Sequence, residues 1–227
     1  QLERKKEKFT FFCPQRIGYG KGTNALWKAL EYCKTEFEIL QVDWRDNTTD
    51  EEDSKSSQLR ENLPKQVKII PMIKRNEIPK YYDWCDAVIG NLKIGSFENV
   101  ELEGALSKKP VISFVDNKIK IIIDKTELNS PFLLEKNDPK YIAEFLDRIV
   151  LEKELREDLA IDGYEFARKI ADPEKSAEWW ESFLEKVKKE NNSICNNSSQ
   201  ISVKMRMWLY LIGNRLYIKK IKKLLSD

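Results

Sequence analysis

Five short runs of aliphatic, β-branched and aromatic residues alternate with segments of helical periodicity, and that alternation limits the folds open to this chain. The runs are FTFFC (9–13), FEILQV (37–42), VKIIPM (67–72), DAVIG (86–90) and PVISFVD (110–116). Each has strand length and composition. The first stops at Pro14, and the fifth opens at Pro110, where a missing N–H is tolerated. PFLLEK (131–136) is expected as a sixth strand. Residues 24–33 place Ala25, Leu26, Ala29 and Leu30 at helical spacing, and helices are expected near 77–84 and over 98–107. Three more are expected at 138–150, 151–170 and 173–189, with Asp138-Pro139 and Asp172-Pro173 as starts. The polar stretch 45–62 reads as a loop with a short helix, and no internal repeat is evident. Strand–helix alternation through residue 150 predicts an α/β fold, a parallel sheet with helices on both faces, followed by C-terminal helices. Such sheets bind ligands beyond the carboxyl ends of their strands, near helix N-termini. Two loops, 14–24 and 92–103, are expected at that end.

Composition narrows the chemistry. With 227 residues, 41% hydrophobic and 34% charged, the chain can bury a core without disulfides or metals. None of the four cysteines, Cys13, Cys33, Cys85 and Cys195, lies in a C-x-x-C pair, so they read as reduced thiols of a cytosolic protein. The absence of histidine excludes Ser-His-Asp and Cys-His nucleophilic sites and histidine-containing zinc sites within this chain. Neither a cofactor nor a metal is expected. Seven basic residues and one acidic residue fall between Lys204 and Asp227, so the tail carries +6 of a total of +2 and the body carries −4. The body is therefore not expected to bind nucleic acid. The first residue is Gln1, which suggests a piece of a longer or processed protein. No signal peptide is visible, and no stretch approaches the roughly 20 apolar residues of a membrane span.

Two groups of residues carry suggestive chemistry. Arg16, Lys21 and Gly22 follow the first strand and precede the first helix, with Gly18 and Gly20 between them. A guanidinium, an ammonium and free amides at a helix start suit a diphosphate. A flexible loop with surface charges explains the same residues, and the order differs from a P-loop. Gly95, Ser96, Phe97, Glu98, Asn99 and Glu103 span a strand end and a helix start. On local chemistry the glutamates there read first as partners of the helix dipole, with ligand groups as the alternative.

Together these segments resemble the C-terminal, donor-binding domain of family-four GT-B retaining glycosyltransferases, the group 1 type. That family has a strand, an arginine, and Lys-Gly five residues later, matched by Arg16 and Lys21-Gly22. Its Pro-x-x-Tyr-x-x-x-Asp stretch is similar to residues 79–86, which run from Pro79 through Tyr82 to Asp86. Its Leu-Glu-Ala-Met-Ala followed by Pro-Val-Ile is similar to Leu102-Glu103-Gly104-Ala105-Leu106 followed by Pro110-Val111-Ile112. The resemblance covers residues 9–189 and implies one Rossmann-like half of a GT-B fold, binding a UDP- or GDP-sugar. It implies that Arg16 and Lys21 hold the donor's diphosphate and that Glu103 accepts hydrogen bonds from the ribose. The backbone amides of Phe97, Glu98 and Asn99 would face the diphosphate or the sugar, with Gly22 and Ser96 lining the same site. No catalytic residue is assigned. The chain departs from the family at Gly95, where a glutamate is usual, and at Asp43-Trp44-Arg45-Asp46, where a glycine-rich turn is usual. The family's N-terminal Rossmann-like domain is an expected partner, in cis or in trans, with residues 1–8 as linker.

The resemblance implies an enzyme that is incomplete as this chain alone. The alternatives are a non-catalytic nucleotide-sugar-binding or scaffold domain, or an unrelated flavodoxin-like domain. The domain is expected over 9–190, followed by a polar linker (191–202) and a basic amphipathic tail (203–227). Met207, Leu211, Ile218, Ile221 and Leu225 can share one helical stripe in that tail. It suits an anionic membrane surface, which would place the protein peripherally on the inner membrane face, or it packs back on protein.

Overall fold

The computed structural model describes residues 7–44, 50–116, 118–119, 121–123, 126–132 and 134–195. The expected tail over 203–227 lies outside these residues, as does the expected linker beyond residue 195. The chain divides into two compact units, Gln1–Asp172 and Pro173–Asp227.

The first unit is built on β1 (Phe9–Cys13), β2 (Phe37–Val42), β3 (Val67–Ile70), β4 (Ala87–Ile89) and β5 (Val111–Ile112). They form one sheet in the order β3-β2-β1-β4-β5, with every pairing parallel. Side chains alternate across the sheet, and both faces are apolar. Phe11, Cys13, Ile39, Ala87 and Ile89 face one way, into a core shared with α1 (Thr23–Leu30) and α5 (Pro139–Leu151). Phe12, Leu40, Val42, Val88 and Val111 face the other way, against α3 (Ile78–Trp84), α4 (Asn99–Leu106) and α6 (Lys153–Ile170). The expected parallel sheet with helices on both faces is what forms.

Four details differ from the sequence expectation. The segment 50–61 forms a full helix, α2, of 12 residues. Its sequence has no apolar stripe, so helical periodicity is absent there. The described residues of 131–136 make no strand: Leu134 joins Phe114 in a single parallel bridge. An antiparallel hairpin of β6 (Ile121–Ile123) and β7 (Thr126–Leu128) precedes it. The fifth strand holds only two paired residues, prolonged by the bridges Gly95–Val115 and Phe114–Leu134.

Local chemistry sets the starts and ends of the helices around the sheet. Asp138 caps α5, accepting from the Lys140 and Tyr141 amides at 3.1 Å each, with Pro139 in the first turn. At the end of α4, Lys108 takes the left-handed conformation (φ 55°), letting its amide and that of Lys109 close on Ala105 and Gly104. Gly104 allows α4 to lie close on the sheet: a Cβ there would sit 3.1 Å from Val88 and Val111 methyls. Asp86, part of the Pro-x-x-Tyr-x-x-x-Asp match, ties β4 to β1 by accepting from the Thr10 amide at 2.7 Å.

The second unit is described over α7 (Pro173–Cys195), which continues into the polar stretch that begins at Asn191. Trp179, Trp180 and Phe183 form mutual ring contacts on α7 and remain 43–59% exposed.

Candidate functional site

The strand order reverses between β1 and β4: the crossovers to β2 and β3 pack on one face of the sheet through Leu26 and Leu59, and those to β4 and β5 on the other through Tyr82 and Ala105. In open α/β sheets this switch point is where ligands bind. The loop after β1 and the loop after β4 meet there. The Leu92 amide donates to the Lys21 carbonyl at 3.1 Å. Gly22 fits against Leu92, and a Cβ on it would come within 2.9 Å of the Leu92 backbone. Gly22 is also left-handed (φ 78°), so no other residue fits there without strain. The turn Tyr19–Lys21 that precedes it is closed by the Lys21 and Thr23 amides on the Gly18 carbonyl and by the Gly18 amide on Thr23 Oγ1 (3.0 Å). Lys21 is thereby delivered to the β4 side of the sheet.

The Lys21 ammonium binds both oxygens of Glu98, at 2.7 and 2.5 Å. Asn91 Nδ2 donates to the same carboxylate at 3.0 Å. Burial opposes ionisation of Glu98. The hydrogen bonds from Asn91 and Lys21, with the charges of Lys21 and Arg16, outweigh it and hold Glu98 below the ordinary carboxylate range. Arg16, Lys21 and Glu98 thus share one electrostatic environment. Gln15, next to Arg16, has a buried Nε2 with no hydrogen-bond partner among the described residues.

Glu98 also starts α4, in extended backbone geometry. Its own amide is taken: it donates to Glu101 Oε2 at 2.8 Å. The amide expected to face a ligand is therefore used by the helix cap. Glu101, which sequence reasoning did not single out, is fully buried and also accepts from the Asn91 amide (2.5 Å) and the Ser113 hydroxyl (3.0 Å). The signal for it was the Glu98-x-x-Glu101 spacing of a capping box. Asn91, likewise missed, has no exposure and orders its loop by accepting from the Lys93 and Ile94 amides.

The remaining expected site residues divide. Glu103 points to Arg75 and Tyr82, with Arg75 Nη2 2.5 Å from Oε1 and the Tyr82 hydroxyl 3.1 Å from Oε2. It belongs to the side of α4 that faces the β3–α3 loop, which makes Arg75 a neighbour of any ligand reaching Glu103. Burial, then the Glu103 carboxylate, push the Tyr82 phenol far above its usual range, so it stays a hydrogen-bond donor. The Phe97 side chain enters an aromatic cluster with Phe132 and Phe166. Ser96 is half-buried and Asn99 exposed. Gly95 has a left-handed backbone (φ 81°) with Phe114 and Asp116 against it. A glutamate at this position would be strained, so the departure at Gly95 is set by the backbone. Among the described residues no group of three or more His, Cys, Asp and Glu side chains is placed to hold a metal, and no helix is long and apolar enough to cross a membrane.

A cleft of about 520 Å³ lies at the opposite, amino end of the sheet, lined by Tyr32, Lys34, Lys140, Asp147 and Arg148 among others. It contains none of the residues expected to bind a ligand.

The family model for glycosyl transferases group 1 matches residues 1–166, most of the chain. The chain belongs to the group 1 glycosyl transferases. No curated protein sequence matches this glycosyl transferase domain significantly. Among solved structures it is similar to sucrose-phosphate synthase from Thermosynechococcus elongatus, with a TM-score of 0.65 and 19% identity over 83% of this chain and 48% of that one. It is also similar to Anabaena Alr3699/HepE in complex with UDP-glucose, with a TM-score of 0.58 and 19% identity over 78% of this chain and 49% of that one. A glycosyltransferase from Rickettsia africae matches at 0.54 and 18% identity, over 72% and 43% of the two chains. These likenesses are in fold: one Rossmann-like half of GT-B. The chain spans about half the length of the sucrose-phosphate synthase and Alr3699/HepE chains.

Proposed function

We propose that this domain holds the diphosphate of a nucleoside-diphosphate sugar on the Arg16–Lys21 loop and forms the donor half of a retaining glycosyl transfer. The observation that carries this is the meeting of the β1 and β4 loops at the sheet's switch point, with Lys21 delivered across it. Cations there would neutralise charge growing on the leaving diphosphate as the glycosidic bond breaks. Glu103, steadied by Arg75 and Tyr82, is the carboxylate offered to the ribose hydroxyls. Alr3699/HepE was solved with UDP-glucose, which makes UDP the first nucleotide to test, ahead of GDP.

A second Rossmann-like domain, in cis or in trans, supplies the acceptor side. Its support is the half-length match to the solved relatives. The tail adds an anionic membrane as a further partner, since residues 203–225 contain seven basic residues and no acid.

Calorimetric titration of UDP into the chain tests the donor site. Lys21→Ala is expected to weaken binding at least about tenfold, the loss of one charge-assisted phosphate contact. UDP binding that Lys21→Ala leaves unchanged contradicts the assignment.

A further inference from the structure

Lys21 is already occupied by an anion that belongs to the chain. Both oxygens of Glu98 take its ammonium, and Asn91 Nδ2 holds the same carboxylate from another side at 3.0 Å. Asn91 is itself fixed, through its Oδ1 on the Lys93 and Ile94 amides and its own amide on Glu101. The carboxylate therefore has a built resting place. Resting on the donor-site assignment above, we infer that Glu98 is an exchangeable internal anion, which binds Lys21 while the site is free and yields it to the donor's diphosphate.

Charge balance is the first argument. The Lys21 charge is already cancelled by Glu98. A nucleoside-diphosphate sugar brings two negative charges on its diphosphate. With Glu98 on Lys21 that ammonium has no charge to spare for the ligand; with Glu98 turned aside it is available to the diphosphate. Glu98 does not relieve this by protonation at neutral pH, because Asn91, Lys21 and Arg16 favour its charged form.

Mechanics is the second. When Glu98 releases Lys21, the start of α4 keeps the arm of its capping box that runs from the Glu98 amide to the Glu101 carboxylate and gives up the arm from the Glu101 amide to the Glu98 side chain. The two paired side chains are 19% and 33% exposed, so an incoming phosphate can reach the ammonium. A partly exposed ion pair is weak enough to exchange. Glu98 thus sets how tightly the domain takes its donor: affinity is the difference between two anions competing for one lysine.

The test is a double-mutant cycle of calorimetric binding with two probes, UDP and inorganic pyrophosphate, on the wild type, Glu98→Gln, Lys21→Ala and the double variant. Each protein is first checked for cooperative thermal unfolding. Glu98→Gln is expected to bind both probes about tenfold tighter or more, equivalent to about 1.4 kcal/mol. Most of that gain is expected to vanish in the Lys21→Ala background, because the exchange passes through Lys21. Should Glu98→Gln fail to fold, Glu98→Ser carries the same expectation. Unchanged or weaker binding by the Glu98 variants overturns the exchange. If Lys21→Ala still weakens UDP binding in that case, the donor site stands without it. If neither the wild type nor a Glu98 variant binds either probe, both assignments fall.

Discussion

The Glu101 side chain has no contact with solvent and accepts from the Asn91 amide, the Ser113 hydroxyl and the Glu98 amide. Gly90 makes room for it: a Cβ on Gly90 would lie within 2.3 Å of Glu101 Oε1. Removing the Glu101 carboxylate would orphan the Asn91 and Glu98 amides, each worth about 1–3 kcal/mol if left unpaired, while the Ser113 hydroxyl keeps the Asn91 carbonyl as its acceptor at 2.8 Å. Glu101→Ala is therefore expected to destabilise the domain by about 3 kcal/mol, measured by urea denaturation at neutral pH. A change under about 0.5 kcal/mol would show that water or a shifted side chain replaces these bonds. Buried thiols behave differently. Burial pushes the Cys13 thiol up to about 12, with the Gln15 backbone hydrogen bond only partly offsetting it, so this cysteine is an inert filler of the core.

At the scale of elements, β1 and β2 were legible because their apolar runs have the length and composition of buried parallel strands. The switch-point site was legible for a related reason: Arg16 and Lys21-Gly22 sit where the first strand gives way to a helix, and only one end of a parallel sheet has such junctions. What escaped the sequence reading was governed by partners distant in the chain. Residues 131–136 look like a strand, yet the neighbouring β5 offers only two paired residues, so Leu134 gains a single bridge. The helix α2 has too few apolar residues to show a period, although Trp27 Nε1 bonds the Leu59 carbonyl within it at 2.9 Å. Glu98 and Glu103 have the same side chain and lie on one short helix, but they serve different loops. Glu98 meets Lys21 across the β1 loop, whereas Glu103 meets Arg75 and Tyr82 from the β3–α3 segment. Spacing alone places both near a helix start; only the packing of α4 separates them.

At the scale of the whole molecule, the chain combines a Rossmann-like group 1 glycosyl transferase domain, a helix with an exposed aromatic face and a basic tail. The tail's +6 charge follows directly from the sequence and predicts attraction to anionic lipid. The 227-residue chain is expected to sediment with vesicles containing phosphatidylserine in low salt, and the chain ending at residue 195 is expected to stay in solution. Equal behaviour of the two removes the membrane from the account.

The donor assignment depends on where a nucleotide lands, and amide chemical-shift mapping during a UDP titration measures that directly. The largest shifts are predicted at Gly18–Thr23 and Ser96–Asn99, with a further set near Arg75. Shifts confined to the opposite end of the sheet, around Tyr32–Thr35 and Asp147, would contradict it.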